Sequence, residues 1–284
     1  MNYRHAFHAG NFADVAKHVA FVAILLHLRR KEQAFAVIDT HAGRGLYDLK
    51  SEAARRTGEA ESGIGRLRTL CNSGAALPQA LQRYLDVVAA MDDAVYPGSP
   101  LIAARLLRPQ DRFVGIEKQA DEYRALRAAL APFGDRAVRC ECADGYARLS
   151  ALLPPPERRG VVLIDPPFES ETESEMAADA LNLALKRFAT GIYLLWFPLK
   201  SAGEAHAFAG EVAATGANKV LRIDLDIGGA AIAGGKDRLT AAGLIVVNPP
   251  FGFAGEMQAA LAILAPLLSP QANVDIRWLA GGES

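Results

Sequence analysis

Cysteine is scarce in this chain. There are three in 284 residues, Cys71, Cys140 and Cys142, and no Cys-x-x-Cys pair. That count excludes a disulfide framework or a cysteine-based structural zinc as the organising feature. Cys140 and Cys142, two apart in a β-like run, share a face and read as small core fillers. A surplus of one charge is also missing: 31 Lys and Arg stand against 32 Asp and Glu, a formal net charge of −1. A nucleic-acid partner would therefore be met by a local basic surface, not by bulk charge. One such stretch is N-terminal, with Arg4, Lys17, Arg29, Arg30 and Lys31 against Asp14 and Glu32. No run approaches 18 apolar residues, and Met1-Asn-Tyr-Arg-His5 has no apolar signal core. The expectation is a cytoplasmic protein without a membrane span. Five of the six histidines fall in the first 41 residues, yet none has metalloprotease spacing, so no metal is expected.

Hydrophobic content of 51% supports one sizeable α/β domain. Asn11 and Asp14 have N-cap spacing, and Val15, Val19, Val22 and Leu26 recur as a helical stripe. Seven short apolar runs follow, at Phe35–Asp39, Phe113–Glu117, Ala137–Cys140, Val161–Asp165, Ile192–Trp196, Val220–Ile223 and Leu244–Asn248. Helical patterns such as Asp121–Leu130 and Met176–Phe188 lie between most of them. This alternation predicts a seven-stranded, mostly parallel sheet covered on both faces. One interval is too long for a simple crossover. Residues 48–97 carry a charged stretch and then Pro78 opening a helix that buries Leu81, Leu85 and Val88. They read as an inserted helical subdomain, with 1–47 and 98–284 as the main domain; Tyr96-Pro-Gly-Ser-Pro100 should return the chain to the main sheet.

In doubly wound sheets, ligands bind beyond the carboxyl ends of the strands. The first strand runs into Asp39-Thr-His-Ala-Gly43-Arg-Gly45. The glycines let backbone approach a ligand, and Asp39 can accept from an ammonium or from loop amides. A dinucleotide fingerprint would need a third glycine where Asp48 stands. The loop suits S-adenosyl-L-methionine, which has no phosphate to cradle. Glu117, ending the second strand, can take both ribose hydroxyls, and Asp144-Gly145 after the third can accept from the adenine amine of that cofactor.

The strongest chemical signal is Asp165-Pro166-Pro167-Phe168. An adenine N6 amine is a poor nucleophile because its lone pair is delocalised into the ring. The Asp165 carboxylate and Pro166 carbonyl can accept its two protons and pyramidalise the nitrogen. Phe168 offers a face on which the base stacks, and the base must be unpaired or flipped to arrive there. Asn248-Pro-Pro-Phe251 nearly repeats the motif. It ends the seventh strand, which usually runs antiparallel in methyltransferase sheets, so the chemistry is assigned to Asp165 and a structural turn to Asn248. A DNA adenine methyltransferase shares this chemistry but usually carries a larger recognition domain. A nicotinamide oxidoreductase is opposed by the broken glycine fingerprint, and a non-catalytic RNA-binding module would not need three acids at strand ends.

These motifs, in this order, closely resemble the bacterial large-subunit ribosomal RNA methyltransferases that modify N6 of one adenine in 23S rRNA. The resemblance runs nearly end to end, through Tyr3-Arg-His-Ala-Phe-His-Ala-Gly-Asn11, Lys17-His18, Asp39-Thr-His-Ala-Gly43, Arg56-Thr-Gly58, Tyr96-Pro-Gly-Ser-Pro100, Ala143-Asp-Gly145 and Asp165-Pro-Pro167. It implies a class I, Rossmann-like methyltransferase fold and a monomer whose insertion helps hold RNA. It also implies cofactor contacts from His18, His41, Gly43, Ser99, Glu117, Asp144, Gly145 and Asp165, with Asp165 as proton acceptor. Tyr3 resembles a residue that engages RNA, with His5 and Lys17 as neighbours; Lys17 is expected to project over the pocket mouth toward a phosphate. The family pattern has Tyr where Phe168 stands, so stacking is kept and a phenolic hydrogen bond is not.

Overall fold

The structure, a computed structural model, describes residues 5–72, 74–134, 137–170, 172–228 and 239–282. Helix α1 (Phe12–Arg29) starts where its cap predicts, with the Asn11 side chain accepting from the Asp14 amide at 2.9 Å. The reciprocal bond is displaced: Asp14 accepts from the Gly10 amide, also at 2.9 Å. Val15, Val19 and Val22 are buried, but so is most of the opposite face, which makes α1 a core helix and not an amphipathic one.

Strands β1 (Ala36–Asp39), β2 (Leu46–Asp48), β3 (Val95–Pro97), β4 (Arg112–Glu117), β5 (Val138–Cys142), β6 (Gly160–Ile164), β7 (Ile192–Pro198), β8 (Val220–Asp226), β9 (Ala241–Val247) and β10 (Asn273–Ala280) form two sheets. The main sheet has the order β10-β8-β9-β7-β6-β1-β4-β5. Strands β5, β4, β1, β6 and β7 are mutually parallel, whereas β9 runs antiparallel to both β7 and β8. Every residue of β6 is buried: Val161 and Leu163 enter the core on one face, Val162 and Ile164 the core on the other. Helices α1, α6 (Ser99–Leu106), α7 (Ala120–Leu130) and α11 (Phe253–Leu268) cover the first face. Helices α8 (Gly145–Leu152), α9 (Glu173–Arg187) and α10 (Ala202–Ala213) cover the second.

The expected Rossmann-like α/β class holds; the strand count does not. The main sheet has eight strands, because β10 adds antiparallel to β8. It escaped the sequence reading because Asp275 and Arg277 alternate with Val274, Ile276 and Trp278, the pattern of a half-exposed edge strand and not of a buried run. Tyr96 and Pro97 do not return to the main sheet either. They pair with β2, Tyr47 opposite Tyr96, and so join the two ends of residues 48–97. Between them lie α2 (Glu52–Thr57), α3 (Glu59–Ser62), α4 (Ile64–Leu67) and α5 (Gln79–Ala89). Their Ile64, Leu67, Leu81 and Leu85 join the core of α1 and α11. Cys142 is exposed on β5, so it is not the core filler expected.

Candidate active site

The carboxyl ends of β1, β4, β5, β6 and β7 open into a cavity of about 800 Å³. That is the edge where a doubly wound sheet binds ligands, and the volume suits a drug-sized molecule or more. Asp165 follows β6 at this edge and is 16% exposed. Its Oδ2 accepts from Lys17 Nζ at 2.5 Å, and Lys17 also donates to Asp14 Oδ1 at 2.8 Å. Burial works against the Lys17 ammonium, but Asp14 and then Asp165 outweigh it and hold its pKa above the ordinary lysine value. Burial likewise opposes the Asp14 carboxylate, yet His5 and Lys17 hold its pKa well below the usual range. His5 Nε2 lies 2.9 Å from Asp14 Oδ2.

This arrangement corrects the expectation for Lys17. Its side chain is enclosed and ion-paired on both sides, so it braces Asp165 from beneath and does not reach out to a phosphate. The turn of α1 that carries Lys17 faces the sheet because that helix is buried nearly all round. Tyr3 lies outside the described residues. His5 lines the cavity, beside Tyr47 with ring centroids 5.0 Å apart.

Pro166 and Phe168 also line the cavity. Phe168 has φ 47°, a left-handed conformation costly for an aromatic residue, and such strain recurs at functional sites. Its ring packs edge-on to Trp196 at 5.8 Å, and its carbonyl accepts from Lys200 Nζ at 3.2 Å.

The residues expected to meet a cofactor converge on the same cavity: His18, His41, Gly43, Ser99, Glu117, Asp144 and Gly145 all line it. Glu117 Oε2 accepts from the Gly43 amide at 2.9 Å and Oε1 from the Gln119 amide at 2.6 Å. Burial pushes its pKa up, against those two amides. Gly43 has φ 59°, and a Cβ there would sit 2.4 Å from the Tyr47 hydroxyl. Asp144 caps α8 through the Ala147 amide and pairs with Lys118 at 3.0 Å. Burial raises its pKa, but Lys118 and that amide prevail and lower it. A Cβ on Gly145 would meet the Thr40 carbonyl at 2.0 Å, so only glycine lets α8 approach the loop this closely.

His18 is fully buried, its Nδ1 2.7 Å from the Tyr96 hydroxyl, and burial lowers its pKa to about 3. His41 is lowered by burial to about 4, so both imidazoles are neutral at pH 7. Asp39 is fully enclosed behind the wall and accepts from the Ser99 hydroxyl at 2.7 Å and the His41 amide at 3.2 Å. Burial pushes it up to about 7. It supports the loop and cannot reach an ammonium.

Several residues of the cavity belong to no sequence motif. Trp196 and Lys200 follow from topology alone, since β7 lies beside β6 and ends at the same edge. Tyr146 donates to Glu173 at 2.9 Å and packs edge-on to His41, a bridge between α8 and α9 with no signature in the sequence.

The fit to S-adenosylmethionine can be judged from the donor set. Arg44, the one cation of the glycine loop, is committed to Glu122 through two bonds of 2.9 and 2.8 Å. A pyrophosphate would find no cation there, whereas Glu117 and Asp144 supply acceptors for hydroxyl and amine groups. The residues present fit a phosphate-free nucleoside carrying a cationic sulfonium, with the carboxylates of Glu117, Asp144 and Asp165 on the same cavity.

Comparison with known proteins agrees. The profile of the family described as ribosomal RNA large subunit methyltransferase D, RlmJ, matches residues 32–280. The chain is similar to "Ribosomal RNA large subunit methyltransferase J" of Escherichia coli K12, 40% identical over 98% of this chain and 99% of that protein. It is 38% identical to the Haemophilus influenzae protein of the same name, again over 98% and 99%. A crystal structure of a Legionella pneumophila protein superposes with a TM-score of 0.86 at 32% identity, covering 97% of this chain and 99% of that one.

Proposed function

The chain belongs to the ribosomal RNA large subunit methyltransferase family, and from that premise we propose that it methylates N6 of one adenine in 23S rRNA with S-adenosylmethionine. The observation that carries this reading is the Asp165-Pro166 acceptor pair under Phe168, opening on the cavity where Glu117 and Asp144 stand. His18, His41, Gly43, Ser99, Glu117, Asp144 and Gly145 would hold the cofactor, which supplies an electrophilic methyl group when bound.

The protein's own task is to prepare the nucleophile. Asp165 and the Pro166 carbonyl accept from the target amine, withdraw its lone pair from the ring, and leave Asp165 to take the departing proton. Lys17 fixes that carboxylate through the enclosed ion pair, so no reorientation is needed at the moment of reaction. Phe168 provides the stacking face, backed by Trp196. Tyr3 and His5 of the leading arm meet the RNA, helped by residues 48–97 acting as an inserted helical subdomain of the domain formed by 1–47 and 98–284. The protein acts as a cytoplasmic monomer; no helix among the described residues is long and apolar enough to cross a membrane.

Incubation with labelled S-adenosylmethionine and matched RNA and DNA, followed by nucleoside analysis, tests the reading. N6-methyladenine should appear in 23S rRNA only. Equal labelling of DNA, or a methyl group on another atom, would overturn it.

A further inference from the structure

The topology gathers charge at the edge opposite the cavity. Because β1, β4, β6, β7 and β8 run in one direction and β9 in the other, the starts of five strands and the end of β9 lie in one row. Arg112 and Gly160 both stand opposite Ala36, and the Asn248 amide donates to the Lys219 carbonyl at 2.9 Å. Six of the segments at this edge are 29–35, 105–112, 153–160, 186–191, 214–219 and 248–252. They contain eleven arginines and lysines and three acids, a local surplus of eight in a chain of net charge −1. Two of those acids are already engaged, Asp111 by Arg108 and Glu157 by Arg112. Among the described residues, Arg30, Lys31, Arg158, Arg159, Arg187 and Lys219 form no ion pair.

Three of the arginines are tied to neighbouring loops of this edge. Arg108 donates to the Lys31 and Gln33 carbonyls at 2.8 and 3.1 Å. Arg159 donates to the Gln33 and Leu28 carbonyls at 3.0 and 2.5 Å. Arg187 donates to the Leu153 carbonyl at 2.9 Å. Arg108 and Arg159 both lie over the ring of Phe35, at 5.5 and 6.0 Å. At the end of the row Phe251 stands 77% exposed. Holding like charges this close is unfavourable in the free protein, and an anionic partner relieves it.

We infer that this N-terminal edge of the sheet binds the phosphate backbone of a second stretch of the RNA whose adenine enters the cavity. The inference rests on the RNA reading of the cavity. RNA is favoured over an acidic protein by the spread of single charges along a row with few acids between them and an exposed aromatic at its end, a surface suited to backbone phosphates and an unpaired base. The two edges are separated by the strands, about 17 Å from Gly160 to Asp165 at roughly 3.3 Å per residue. A long RNA can engage both, and a very short one only the cavity.

The test uses Arg30→Gln, Lys31→Gln, Arg158→Gln and Lys219→Gln combined, all exposed positions outside the cavity. Binding of a several-hundred-nucleotide 23S rRNA transcript should weaken about tenfold or more. The slope of log Kd against log salt should fall by about 3, at roughly 0.7–0.9 per phosphate contact. Affinity for an adenine-containing hexanucleotide and for S-adenosylmethionine should stay within twofold, which also reports intact folding. A two-site version, Arg30→Gln with Lys219→Gln, should lower the slope about half as much. Unchanged affinity and slope on the long transcript would overturn the inference and leave an acidic protein as the partner of this edge. Absence of methyl transfer by the unaltered enzyme, with the salt effect intact, would instead sink the reading of the cavity and keep this edge.

Discussion

Asp165-Pro-Pro-Phe168 and Asn248-Pro-Pro-Phe251 differ in one atom type of one side chain, yet they occupy opposite edges of one sheet. The first follows β6, a parallel strand; the second follows β9, which is antiparallel to β7, with Val247 opposite Tyr193 near the start of β7. At the first edge the carboxylate is paired with an enclosed lysine, and the left-handed residue is the aromatic one, φ 47° at Phe168. At the second, the left-handed residue is Asn248 itself, φ 53°, which asparagine tolerates. Its amide donates to the Ala189 and Gly191 carbonyls at 2.9 and 2.8 Å, and Phe251 points outward. One copy keeps its acceptors toward a cavity and stores strain; the other spends its side chain on closing a turn. A motif of this kind acquires chemistry from strand direction and from what stands beneath it.

The comparison is broken most sharply by exchanging the fates of the two first residues. Asp165→Ala should lower single-turnover methyl transfer by roughly 10³-fold, within the 10²–10⁴ range of a positioned proton acceptor, while calorimetry finds cofactor affinity within a few-fold. Asn248→Ala should leave turnover within a few-fold and cost stability of about 1–2 kcal/mol for two lost bonds and a strained backbone. If Asn248→Ala kills turnover and Asp165→Ala does not, the assignment by strand direction is wrong.

Lys17 has no counterpart beneath Asn248. Lys17→Met leaves Asp14 and Asp165 without their cation, and denaturant unfolding should show a loss of about 3–5 kcal/mol, the scale of a broken buried pair. Adding Asp165→Asn should recover part of that stability without restoring turnover. No recovery would mean that Lys17 acts through Asp14 alone.

The two phenylalanines sharpen the contrast at smaller scale. Phe168→Ala should reduce the affinity of catalytically competent RNA binding by about 1–3 kcal/mol, the value of one stacked base. Phe251→Ala, with little surface to lose, should leave both stability and turnover on a short RNA unchanged.

The smallest expected effect separates the edges by pH. Asp39, behind the cavity wall, has its folded pKa raised to about 7, above the unfolded carboxylate value. Its protonated form therefore favours the fold at low pH, and that contribution is lost as pH rises through about 7. Relative to the unaltered protein, Asp39→Asn should gain stability of about 1–2 kcal/mol between pH 6 and pH 8. The difference between Asn248→Ala and the unaltered protein should be flat over that range. A flat Asp39→Asn difference would mean that its carboxyl titrates normally.

Much of the cavity was legible because its residues sit at strand ends. Glu117, Asp144 and Asp165 each close an apolar run, so the parallel topology delivers them to one edge. Lys17 was misread because a lone lysine on a helix is ordinarily solvated; that α1 would be buried all round depends on α5 and α11 packing against it, 50 or more residues away. Of the two roles open to Asp39, the structure shows the second, accepting from a loop amide of His41, with the carboxylate behind the cavity wall. β10 was overlooked because an edge strand needs an apolar face on one side only.

Local sequence determined the runs that become strands, the cap of α1, the glycine loop and the acceptor pair of Asp165 and Pro166, since each depends on neighbours a few residues apart. Tertiary structure alone decided that Lys17 and Asp14, 148 and 151 positions before Asp165, would meet beneath it. It also decided that the Pro-Pro copy at Asn248 would face away and that cations from five separate segments would form one edge. The physical reason is the same in each case. Burial and long-range charge pairing depend on which surfaces the fold presses together, and a chain read locally carries no record of that distance.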